Sequence, residues 1–91
     1  MEKILNYIEA NKEAHLNELI QYLMIPSVSS ESKHNEDTLR CAEWTRDAIK
    51  NAGIEKVDIY PTKGHPIVYG EWLEAGNVPT ILIYGHYDVQ P

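Results

Sequence analysis

At 91 residues the chain has the size of one small domain, in the range where only about 60–65% of the unfolded surface is buried on folding. Apolar residues make up 43% and charged residues 24%, an ordinary globular balance, and no run approaches the roughly 20 apolar residues of a membrane span. Eight Lys and Arg against 14 Asp and Glu give a net charge of −6 without a basic run, so the attraction to phosphate that drives nucleic-acid binding is missing.

The opening "MEKILNYIEANKEAH" has scattered charges and no continuous apolar core, so a secretory signal is not expected. Over residues 2–24, Ile4, Leu5, Ile8, Leu16, Leu19, Ile20 and Leu23 recur at helical spacing and predict one long amphipathic helix with a bend at Asn11. Pro26 and the serines of "IPSVSSES" end it in a loop. Asn35 or Asp37 is the expected cap of a second helix, whose buried side reads Leu39, Ala42, Thr45, Ile49 and Ala52. Gly53 followed by Ile54 fits a left-handed cap that stops this helix at Ala52 or Gly53. The period then changes to two. "KVDIYP" alternates Val57 and Ile59 with Asp58 and Tyr60, a second strand falls at about 67–73, and "EAGNVP" supplies a turn. Residues 80–85 form a nearly continuous apolar run, the pattern of a strand covered on both faces and the expected centre of the sheet. The fold class is therefore α/β, two N-terminal helices followed by about three strands. Covering such a strand on both sides needs more helices than the sequence provides, which predicts further chain downstream.

In open α/β sheets ligands bind beyond the carboxyl ends of the strands, and "YGHYDVQP" lies there. His86 is a candidate metal ligand, and Asp88 is a carboxylate placed to hold its other ring nitrogen and fix the tautomer. A bare His-x-Asp is weak evidence, and a strand-end histidine bonded to Asp88 for stability alone is the plain alternative. The remaining candidates have simpler readings. His15 falls on the first helix, His34 in a polar loop, and His65 in a "GHP" turn where contact with substrate is a minor alternative. Cys41 stands beside Arg40 but on an amphipathic helix with no histidine near in sequence, which reads as structural. As the single cysteine it excludes an internal disulfide, and a reducing, cytoplasmic setting is expected. Glu31, Glu36 and Asp37 fit no calcium loop and belong to caps and turns. Trp44 and Trp72 read as core or helix–sheet contacts. Ser27, Ser29 and Ser30 form no nucleophile elbow. No glycine-rich phosphate loop follows a predicted strand, which argues against a nucleotide-binding domain.

The segment "ILIYGHYDVQP" resembles the first metal-binding segment of the dinuclear zinc hydrolases that include carnosinase-like dipeptidases, aminoacylases and succinyl-diaminopimelate desuccinylases. "LMIPSVSSES", the helix ending "NAGI" and "GHPIVYGEW" resemble the surrounding parts, and "HPIVYGEW" with "YGHYDVQP" are most similar to the dipeptidases. The resemblance implies the start of a three-layer α/β catalytic domain, of which residues 1–91 are the N-terminal part. It implies His86 as a ligand of one of two zinc ions, with cobalt or manganese as possible substitutes, and Asp88 as the carboxylate that steadies its ring. Two such metals polarise a peptide carbonyl and lower the pKa of a shared water. The substrate would be a small peptide or an N-acyl amino acid. The family's bridging aspartate, its Glu-Glu pair, a further carboxylate and a distant histidine have no counterpart here, so the 91 residues are expected to be inactive alone. A short non-catalytic binding or assembly module that keeps this fold is the alternative.

Overall fold

The computed structural model describes all 91 residues, with helices first and strands after them. The expected long helix is two: α1 (Glu2–Ala10) and α2 (Lys12–Leu23). Asn11 separates them at φ −106° and ψ 11°, and its side-chain amide donates to the Tyr7 carbonyl at 2.8 Å. Asparagine competes for helix backbone in this way, which is why the break falls there. Neither helix buries a residue, and the stripe from Ile4 to Leu23 lies open to solvent.

After the loop at 24–31 a short 3-10 turn (Ser32–His34) leads into α3 (Asn35–Asn51). His34 occupies the N-cap, so the expectation that Asn35 or Asp37 caps the helix is corrected: both lie inside it. Asp37 instead accepts from His34 Nδ1 at 2.8 Å and pairs with Arg40 at 3.0 Å. Its charge also suits the positive helix N-terminus. The buried stripe of α3 is Thr38, Cys41 and Ala42, with Thr45 and Ile49 half-buried, whereas Leu39 and Ala52 are exposed, contrary to the periodicity. The stripe is turned because Cys41, in the first half of α3, meets Ser27 and the backbone of residue 87, while Ile49, in the second half, meets the strands. The helix ends as expected. Gly53 has φ +106°, its amide bonds Lys50 O at 3.0 Å, and Ile54 N bonds Ile49 O at 3.3 Å, the paired bonds of a Schellman cap.

Strands β1 (Lys56–Tyr60) and β2 (Ile67–Glu71) pair antiparallel, with Val57 opposite Gly70 and Ile59 opposite Val68. These four face α3, and Val57 is the most buried at 4% exposure. A Cβ on Gly70 would stand 3.1 Å from Ile49 Cγ2 and 3.3 Å from Val57 Cβ, so the glycine sets how closely helix and sheet approach. The opposite face, Lys56, Asp58, Tyr60, Ile67 and Tyr69, is solvated.

The expected third strand at 80–85 does not form a ladder. Ile81, Leu82, Ile83 and Tyr84 are 82–89% exposed and join no strand, so the expected centre of the sheet is absent here. Apolar side chains on both faces need cover on both faces, and neither α1–α2 nor the hairpin reaches them. Trp72 is likewise exposed rather than a core contact, while Trp44 packs on Tyr22 with ring centroids 5.6 Å apart. The accessible surface is 7793 Å2 and the radius of gyration 15.3 Å. A folded monomer of this size has about 5,400 Å2 and about 12 Å. Only seven residues are buried, so helices and hairpin present far more surface than they cover. No helix is long and apolar enough to cross a membrane.

Candidate functional site

The exposed segment regains contacts at its end. Val89 bridges Val28 in parallel register, and its amide donates to Ser27 O at 3.0 Å, so residues 86–89 lie along the loop that follows α2. Three side chains hold two adjacent carbonyls. Tyr22 OH donates to His86 O at 3.2 Å, and Ser27 Oγ and Cys41 Sγ both donate to Tyr87 O, at 3.0 and 3.1 Å. Cys41 is fully buried, and burial first of all pushes its thiol pKa up, so it remains a protonated donor rather than a nucleophile. Burial also raises the phenol of Tyr87, whose hydroxyl donates to Pro66 O at 2.6 Å.

On this fixed backbone His86 and Asp88 face one another. His86 Nδ1 lies 3.2 Å from Asp88 Oδ1, and the second oxygen, Oδ2, accepts from Ser29 Oγ at 2.6 Å. The Ser29 hydrogen bond is the main cause holding the Asp88 pKa below the ordinary carboxylate value, and the bond from His86 adds to it against the opposing effect of burial. Because a carboxylate only accepts, Nδ1 of His86 is the nitrogen that donates in this pair. The His86 side chain is 70% exposed and that of Asp88 34%. His65 joins them from the loop between the strands: its Nε2 donates to Ser29 O at 2.8 Å, and its own carbonyl accepts from Thr62 Oγ1 at 2.7 Å. A cleft of about 210 Å3 lies among Ser29, His65, Gly85, His86 and Asp88.

The structure thus brings the two predicted site residues together and adds Ser29 and His65 beside them. In the sequence Ser29 is only part of a serine-rich turn, and 59 residues separate it from Asp88, so no local spacing points to it. The other histidines lie elsewhere. His15 packs against Tyr7, ring centroids 6.1 Å apart, and His34 belongs to the Glu31–Asp37 turn. No three His, Cys, Asp or Glu side chains converge as a complete metal cage. Beside the cleft the chain sets one largely exposed imidazole, His86, with the Asp88 carboxylate against its Nδ1.

No family model matches the chain, and no solved structure does. Curated proteins do. It is 29% identical over 106 aligned positions to the Cys-Gly metallodipeptidase DUG1 of Candida albicans, with all of this chain and 21% of the relative covered. To the Cys-Gly metallodipeptidase dug1 of Schizosaccharomyces pombe it is 29% identical over 100 positions, with the same coverage. To a cysteinylglycine-S-conjugate dipeptidase of Corynebacterium striatum it is 30% identical over 82 positions, covering 89% of this chain and 18% of the relative. The chain spans about a fifth of the length of these relatives. The expected resemblance to dipeptidases is thus borne out at the level of the sequence: 89–100% of this chain is similar to proteins named as dipeptidases, two of them as metallodipeptidases.

Proposed function

We propose that the chain is the N-terminal part of the catalytic domain of a cytoplasmic, zinc-dependent dipeptidase that uses two metal ions, and that His86 binds one of them through Nε2. The observation that carries this reading is the His86–Asp88 pair: Nδ1 faces a carboxylate, and both residues line a cleft that follows an apolar segment. A ligating imidazole is held in this way by an outer carboxylate, which fixes the tautomer and raises its basicity. Metal ions bound there would supply Lewis acidity toward the amide carbonyl and toward an attacking water. Asp88 orients and polarises the imidazole, and the tyrosine, serine and cysteine donors hold the backbone that carries it. The bridging ligand, general base and substrate pocket belong to other parts of the polypeptide, so the 91 residues have no activity by themselves. The excess of exposed surface and the uncovered segment at 81–84 support a larger folded unit. The names of the relatives favour a dipeptide such as Cys-Gly as substrate over an N-acyl amino acid.

The test is metal content and Cys-Gly hydrolysis of the whole protein with and without His86→Ala. The expected result is two zinc ions per chain in the parent, loss of at least one in the variant, and a fall in turnover of at least about 100-fold, typical of losing a first-rank catalytic interaction. A variant that keeps both ions and full turnover would refute the assignment, and hydrolysis by the zinc-loaded 91-residue chain would refute its dependence on the rest.

A further inference from the structure

We propose that Ser29 is the positioning residue of this site, its hydroxyl clamping one oxygen of Asp88 so that the other stays aimed at His86 Nδ1 and leaves Nε2 bare. The inference rests on the reading of His86 as a ligand for its purpose, but not for its geometry. A carboxylate turns easily about its last torsion, which has a broad, twofold profile. The 3.2 Å contact to a largely exposed imidazole is a weak restraint on that rotation. The 2.6 Å bond from Ser29 is the short, charge-assisted one, and it fixes the plane of the carboxylate.

Ser29 is itself fixed from both sides. Ser27 and Val28 are tied to residues 87 and 89 by hydrogen bonds and by the parallel bridge. On the other side, the Ser29 carbonyl accepts from His65 Nε2 at 2.8 Å. A carbonyl requires a protonated partner, so His65 is the Nε2–H tautomer while His86 is the Nδ1–H tautomer. Two histidines on one cleft are thus held in opposite tautomers by the two ends of one serine, its carbonyl and its hydroxyl.

Imidazole nitrogen-15 NMR of the 91-residue chain at pH 8 tests this without metal. The expected spectrum has His86 mainly Nδ1–H and His65 mainly Nε2–H. Ser29→Ala should shift His86 several-fold toward the Nε2–H form that free imidazole side chains prefer. Ser29→Thr should restore the original ratio, and Ser30→Ala, at the exposed neighbour that bonds nothing in the site, should leave His86 Nδ1–H. An unchanged ratio in a folded Ser29→Ala chain, or no rescue by threonine, would overturn the proposal. A parent chain in which His86 is already mainly Nε2–H would overturn it whether or not any variant folds. Metal retention by His86→Ala in the whole protein bears only on the ligand role, so the two failures are distinguishable.

Discussion

Truncating Ile83 to alanine measures how far the apolar segment is covered, because the same change has different costs in different surroundings. Ile83 is 89% exposed in this chain, so only about a tenth of the roughly 1.5–3 kcal/mol available from burying an isoleucine is realised. The expected loss is therefore about 0.2–0.3 kcal/mol, within the range of ordinary surface substitutions. In a longer polypeptide that covers the segment on both faces, the lost transfer energy and the cavity together cost about 2–5 kcal/mol. Urea unfolding followed by far-UV circular dichroism, on the 91-residue chain and on the whole protein, reads both. With a slope of about 1 kcal/mol per molar urea for a chain of this size, the midpoint moves by about 0.2–0.3 M in the short chain. A loss above about 2 kcal/mol in the short chain would mean that the segment is already packed. No loss in the whole protein would mean that nothing covers it, and either result refutes the reasoning.

Two further outcomes follow from local geometry. Gly70→Val places its added carbons against Ile49 Cγ2 and Val57, and overpacking of this kind costs about 1–3 kcal/mol, seen as a drop in thermal midpoint; a midpoint equal to or above that of the parent would show that α3 is free to move off the sheet. The pKa of Asp37 is held below the ordinary carboxylate value by the hydrogen bond from His34 and, secondarily, by Arg40, against the opposing effect of burial. A lowered folded pKa gives stability that is fully present above the unfolded value of about 3.9 and lost as pH falls through the folded value. Asp37→Asn should therefore be less stable than the parent at about pH 5, with the gap narrowing as pH falls below the unfolded value of about 3.9, and a gap that stays constant on acidification in urea titrations would count against the pairing.

The parts of this structure that are legible in the sequence are those set by neighbours in the chain. Gly53 stops α3 because the left-handed turn and both cap bonds involve residues within five positions. Val57 and Ile59 alternate because one face of a hairpin meets a helix. Periodicity misplaces Leu39 and Ala52 on the buried side of α3 because it gives a stripe but not what lies against it. Residues 80–85 have the composition of a third strand, yet a ladder needs a partner, and that information is not in the segment itself. In the site, a two-residue spacing and a resemblance are enough to point to His86 and Asp88. Ser29 and His65 reach it through contacts spanning 59 and 36 positions, where no local pattern carries a signal.

The donors that grip residues 86–88 stand 46–64 positions earlier, whereas α3 and the hairpin are closed by near neighbours. Contacts of such separation form only after the loop between them has been closed, at an entropic cost that short-range pairing avoids. Helix and hairpin can therefore nucleate early, while the imidazole acquires its orientation at the end of folding, and a destabilised chain would lose that orientation before it lost its secondary structure.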